Sequence, residues 1–303
     1  MRDVICIKLS KTACTISLFI TALIWGLAFV AQRLGAGMGS FTFNGVRFLL
    51  GAASLIPVIF VLERGPVSAK ALKYTALAGI GGGVILFIAA SLQQFGVALT
   101  GSAGKSGFIT GLYTVLVPVL GVFLGRKTGV LTWIGAACAV LGLYLLSVPD
   151  IRNIEAGDVV LLIGAFFWAG HILFIDRFIH SIKVIRFSMI QAFTCGLLSL
   201  ASAFLFEKVT LGGISAGIIP ILYCGLLSTG VAYTLQSIGQ KGVEPAKAAI
   251  IFSLETLFSA LGGAWLLGEK MDARGYAGCV FIFAGIIVSQ LTFKKREVRE
   301  ILP

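Results

Sequence analysis

At 303 residues, 58% of them hydrophobic and only 12% charged, the chain is too apolar to fold in water, where soluble domains carry about a quarter charged residues. Its formal net charge of +11 lies between apolar segments and at the two ends, not along one stripe. That argues against a nucleic-acid surface and for the charge pattern of membrane topology. The length accommodates roughly ten spans of about 20 residues and no sizeable soluble domain.

Ten apolar stretches predict helices over about 13–34, 40–62, 73–97, 105–124, 129–148, 157–178, 186–206, 212–238, 246–267 and 274–292. The expected fold is an all-α integral membrane protein, because backbone groups in lipid must bond internally. A barrel would need short alternating segments, and none is present. Arg2, Lys8 and Lys11 precede the first stretch, which is long for a cleaved leader and reads as a true span. In the third stretch Gly79, Gly81, Gly82 and Gly83 predict a flexible or unwound segment. Gly107 and Gly111 in the fourth, and Gly135 and Gly142 in the fifth, suit close backbone packing. The closing Lys294-Lys295-Arg296 suits contact with anionic lipid headgroups. With both termini in the cytoplasm, 17 Lys and Arg fall inside and six outside, which predicts that orientation in a cell membrane. The six Cys form no CxxC and read as small reduced core residues.

One ungapped offset of 143 residues superposes the two halves. It carries Trp25 onto Trp168, Gln93 onto Gln236, Gly135 onto Gly278 and Gly142 onto Gly285. The Trp match is the informative one, since the chain has only four Trp. The offset indicates an internal duplication, expected as repeats at 13–148 and 157–292 followed by a basic cytoplasmic tail at 293–303. Five spans per half make the copies insert with opposite orientation, the inverted repeat of a transporter.

Trp25-Gly26-Leu27-Ala28-Phe29 resembles the opening W-G-x-x-F of the EamA repeat. Asn44-Gly45-Val46-Arg47-Phe48 resembles the R-F motif of that repeat's second helix, and Leu254-Glu255 with Leu267-Gly268-Glu269 its closing L-E-P … L-G-E pattern. Thr256 stands where that pattern has Pro. The resemblance implies the drug/metabolite transporter superfamily: two inverted five-helix repeats and secondary export of small metabolites such as amino acids.

Several residues are candidates for transport. Glu255 lies about 13 Å into the ninth helix at 1.5 Å per residue. A carboxylate at that depth is costly unless paired or hydrated, so Glu255 suits proton exchange, a substrate ammonium or an interhelical hydrogen bond. Arg47 suits a substrate carboxylate, and equally a side chain that snorkels to the interface. Trp25 and Trp168 fall near mid-span rather than in the interfacial belt, which suits a cavity wall or plain packing. His171, one turn beyond Trp168, suits a proton relay or a satisfied core position. Tyr113 sits at a depth equivalent to Glu255. Gln93 and Gln236, at equivalent positions, suit opposed gates or hydrogen bonds between helices.

No P-loop or Cys/His metal cluster occurs, so no enzyme, metal or cofactor is expected. The partners expected are a small-molecule substrate, membrane lipid and protons as a coupling ion. A channel-like pore is the alternative, with an intramembrane enzyme behind it.

Overall fold

The computed structural model describes residues 10–63, 67–147, 154–268 and 272–291, the side chains of Leu146 and Ser147 excepted. The expected basic tail at 293–303 lies outside the described residues, as do Arg2, Cys6, Lys8, Arg64, Arg152, Glu269 and Lys270.

Ten helical spans form one bundle. They are α1 (Lys11–Gly35), α2 (Ser40–Leu62), α3 (Ala69–Thr100), α4 in two halves (α4a Ala103–Gly111, α4b Tyr113–Phe123) and α5 (Val130–Ser147). The second repeat supplies α6 (Ala156–Phe178), α7 (Val184–Phe206), α8 (Ile218–Leu222, Tyr223–Ala232 and Tyr233–Gly239), α9 in two halves (α9a Pro245–Phe252, α9b Leu254–Leu267) and α10 (Ala273–Gln290). Among the described residues nine are long and apolar enough to cross a membrane, and the apolar run of α5, Val130–Leu145, is shorter. The protein is a multi-pass membrane protein, and no strand occurs among the described residues. Phe60, Phe123, Phe206 and Trp265 project from the outside of the bundle, where hydrocarbon is the solvent.

The helices begin where short polar side chains cap the first free amides. Ser10 accepts from Ala13, Ser68 from Ala71, Ser102 from Lys105 and Asp272 from Gly275. Face names follow from the topology: the termini face is the one at which α1 begins and α10 ends.

Helices equivalent by duplication meet across a pseudo-twofold axis. In the α5–α10 pair, a Cβ on Gly135 would lie 2.6 Å from the carbonyl oxygen of Gly285, and one on Gly142 would lie 2.5 Å from that of Gly278. Each glycine of the stripe therefore faces the counterpart of the other, and the backbones touch.

The α2–α7 pair is clamped at both ends. Glu207, just past α7, accepts from the amides of Phe41 and Thr42 at 2.9 and 2.8 Å and from the Thr42 hydroxyl at 2.7 Å, at the start of α2. Glu63, just past α2, accepts from the amide of Ile185 at 3.0 Å and pairs with Arg186 at 3.3 Å, at the start of α7. All three correspondences share an offset of 144 residues. Each carboxylate sits on the positive end of its partner's helix. Gly39 precedes α2 with φ of 96°, and a Cβ there would lie 2.5 Å from the Glu207 carboxylate.

The glycine cluster of α3 corrects an expectation. The helix runs unbroken from Ala69 to Thr100, so Gly79–Gly83 is not unwound. The space left by the missing side chains is filled from α6 and α7: Ile190 packs on Gly79, Phe174 and Phe187 on Gly82, and Thr194 on Gly83. The irregular backbone lies elsewhere. Both α4 and α9 break at mid-span, at Leu112 and Ser253, and residues 223–232 of α8 widen into a π-helix.

Candidate functional site

The two broken helices cross at the axis. The Thr114 hydroxyl donates to the Ala249 carbonyl at 3.2 Å, and the Thr256 hydroxyl donates to the Gly107 carbonyl at 2.9 Å. The two bonds are copies of each other at an offset of 142. At the same offset the Tyr113 hydroxyl donates to Glu255 Oε1 at 2.8 Å. Tyr113 opens α4b and Glu255 lies in the first turn of α9b. The carboxylate therefore sits where the half-helix dipole favours negative charge. Only 3% of Glu255 is exposed, and it makes no ion pair among the described residues.

The π-helix of α8 docks on α1 through its carbonyls. Trp25 Nε1 donates to the Ser228 carbonyl at 3.3 Å and the Thr21 hydroxyl to that of Ala232 at 3.2 Å. Tyr223 donates back to the Ile24 carbonyl at 2.9 Å. A π-turn leaves carbonyls displaced from the regular ladder, and such bulges recur at functional sites. Here it fixes Trp25 against Trp168, with ring centroids 6.4 Å apart, and against Tyr233 at 5.0 Å and Phe252 at 5.3 Å. Trp168 stacks on Tyr233 with an interplanar angle of 17°.

The rings of Trp25, Trp168 and Tyr233 wall a cavity of about 30 Å³, room for about two waters. Glu255 and Tyr113 line it at the axis, and Gln32, Gln93, Gln236 and Thr110 add polar walls. Arg47 lines it as well and is only 2% exposed, so it does not snorkel to the interface. Its Nε donates to Asn44 Oδ1 at 2.9 Å, and Asn44 is held by the Ala90 carbonyl at 3.0 Å. The guanidinium lies over the Phe48 ring at 4.6 Å and makes no ion pair among the described residues.

The fold thus brings Trp25, Arg47, Gln93, Tyr113, Trp168, Gln236 and Glu255 to one cavity. Gln93 and Gln236 share it rather than standing at opposite ends of the bundle. Gln93 bonds Gln32 at 3.0 Å, and neither amide atom of Gln236 has a partner among the described residues. His171 does not line the cavity. It stands behind Trp168, fully buried, with Nε2 3.0 Å from Gln191 Oε1. Tyr233, Gln32, Thr110 and Ser228 are cavity residues that the sequence does not single out. Tyr233 and Gln32 escape because the duplication pairs them with Ala90 and Ile175, so the offset gives no signal. The free cysteines Cys14, Cys138, Cys195, Cys224 and Cys279 are buried or half-buried. No cluster of potential metal ligands occurs among the described residues.

A polar cavity walled by both halves of an inverted-repeat bundle is the architecture of a membrane transporter. Comparison with known proteins gives the family. The profile of the EamA-like transporter family matches residues 12–148 and again 155–291. The chain belongs to that family. An uncharacterized transporter of Archaeoglobus fulgidus is 28% identical over 283 residues, covering 91% of this chain and 85% of its own. The uncharacterized inner membrane transporter YedA of Escherichia coli is 25% identical over 284 residues, covering 90% and 89%. One solved crystal structure superposes with a TM-score of 0.76 over 93% of this chain and 97% of its own; at 18% identity it is similar in fold alone.

Proposed function

We propose that the protein is a secondary carrier that exports a small metabolite, such as an amino acid, by alternating access around the cavity between the repeats. The observation that carries this reading is the meeting of Arg47 and Glu255 in one cavity, each without an ion-pair partner among the described residues. A buried, unneutralised charge in a membrane span marks a functional site. Arg47 offers donors to a substrate carboxylate. Glu255 accepts a substrate ammonium or exchanges a proton, and the Trp25–Trp168–Tyr233 rings receive the apolar portion.

The repeats act as units at 13–148 and 157–292, with both termini and the basic tail at 293–303 in the cytoplasm. Gln93 and Gln236 serve as polar gates of the cavity. A thermal-shift screen of purified protein against a metabolite panel tests the site, because a ligand raises Tm by binding the folded state. Counterflow in liposomes then tests the carrier. A carrier saturates and accelerates exchange, and unsaturable flux without exchange would identify a pore.

A further inference from the structure

From the cavity toward the termini face runs a buried file of polar side chains. His171 packs edge-on against Trp168 and Tyr233, at 6.0 and 6.1 Å between ring centroids. It bonds Gln191, which shares one face of α7 with Ser188 at i and i+3. On α8 and at its C-cap, Tyr233, Ser237 and Gln240 form one stripe at i, i+4 and i+7. Gln240 Nε2 donates to the Ile172 carbonyl at 2.9 Å, which sets the end of that stripe beside His171. The next residue, Lys241, is exposed at the termini face.

Seven buried atoms of this file have no hydrogen-bond partner among the described residues. They are His171 Nδ1, Ser188 Oγ, Gln191 Nε2, both amide atoms of Gln236, Ser237 Oγ and Gln240 Oε1. Native interiors leave few such atoms dry, and ordered water is the usual partner. The duplication supplies an internal control. The first-repeat counterparts of His171 and Gln240 are Ala28 and Val97, whereas at the 144-residue offset of the α2–α7 pair Ser188 and Gln191 answer to Asn44 and Arg47, and Ser237 answers to Gln94. The first repeat is therefore apolar at the positions of His171 and Gln240, toward the opposite face.

We infer that this file is a water-filled seam between α6, α7 and α8, linking the cavity to the termini face and admitting water but no solute. Its use follows from volume. A cavity of about 30 Å³ must gain water as a solute leaves, and a narrow polar seam supplies it while the bundle stays closed to larger molecules.

The test uses the full chain in liposomes, with native cysteines replaced by alanine. Ser188→Cys and Ser237→Cys should react with a small methanethiosulfonate reagent several-fold faster than Val97→Cys, the dry counterpart of Gln240. A bulky maleimide should leave all three unlabelled. Labelling no faster than Val97→Cys would overturn the seam. Equal labelling by the bulky reagent would overturn its restriction to water. Ser188→Ala and Ser237→Ala in the native background give a second readout, by sign. Removing a hydroxyl that holds water lowers Tm, by about 2 °C or more, whereas removing a dry, unbonded hydroxyl raises it. A rise in both variants would overturn the inference. Neither readout involves a transported solute, so failure here leaves the carrier reading intact.

Discussion

Glu207→Ala removes one of the two clamps on the α2–α7 pair. Three hydrogen bonds to a carboxylate disappear, at 2.7 to 2.9 Å, together with its interaction with the start of α2. Hydrogen bonds to charged groups contribute about 1.5–3 kcal/mol each, and the dipole adds roughly 0.3–1 kcal/mol. The full sum is not expected, because Glu207 is half-exposed and water reaches the freed amides. A net loss of about 2 kcal/mol remains, or roughly 4–8 °C in Tm for a domain of this class. Glu207→Gln keeps one accepting oxygen and should lose about half as much. Glu63→Ala should destabilise in the same direction at the other end of the pair. Differential scanning fluorimetry on detergent-purified protein reads all three, with exposed Lys208→Ala as the control. If Glu207→Ala melts with Lys208→Ala, the clamp contributes nothing and the argument from pseudo-symmetry fails.

Trp25→Leu and Trp168→Leu should each weaken substrate binding while folded protein is recovered. A lowered Tm with unchanged affinity in both would make the pair a packing element only. Glu255→Gln should insert normally, since a neutral amide is cheaper to bury than a charge, and should flatten the pH dependence of flux in liposomes. Unchanged pH dependence with full transport would return Glu255 to a structural role. Gly142→Val drives a side chain into the Gly278 carbonyl and Ile282; it should cost about 1–3 kcal/mol and cut the monodisperse fraction in size-exclusion chromatography, which wild-type behaviour would contradict. A reporter active only in the cytoplasm should be bright between α2 and α3 and dark between α5 and α6. The reverse pattern would invert the proposed orientation.

Much of the architecture was legible because hydrophobic length and duplication are written at the scale of whole helices. The two Trp and the paired glycines of α5 and α10 report a symmetry that any fold of this chain must obey. Local backbone was less legible. The glycines of α3 read as weakness because their effect depends on neighbours, Ile190 and Thr194 among them, that lie more than 100 residues away. The break of α4 at Leu112 comes six residues before Pro118, and that of α9 at Ser253 has no Pro or Gly beside it. In both cases the interruption is stabilised by hydroxyls of the opposing helix. Glu63 and Glu207 were missed as a pair because their offset of 144 slips one residue from the main alignment. At the site, Glu255 and Arg47 stood out because charge is rare at depth, and Tyr113 because it lies level with Glu255. Tyr233 had no such contrast among ordinary apolar neighbours.

The contact between Tyr113 and Glu255 bears on how such a chain arises. Positions on the axis of a duplicated protein meet their own copies. Two separate, identical five-helix subunits would set Tyr against Tyr or Glu against Glu there. Two carboxylates in contact cannot both stay ionised, and two tyrosines would supply no acid at all. Fusing the copies into one polypeptide lifts that constraint, since each half then mutates alone. A donor facing an acceptor across the axis is thus a configuration open to the fused chain and closed to a symmetric dimer. The single acid at the centre of the bundle is a product of asymmetry that two identical subunits could not reach.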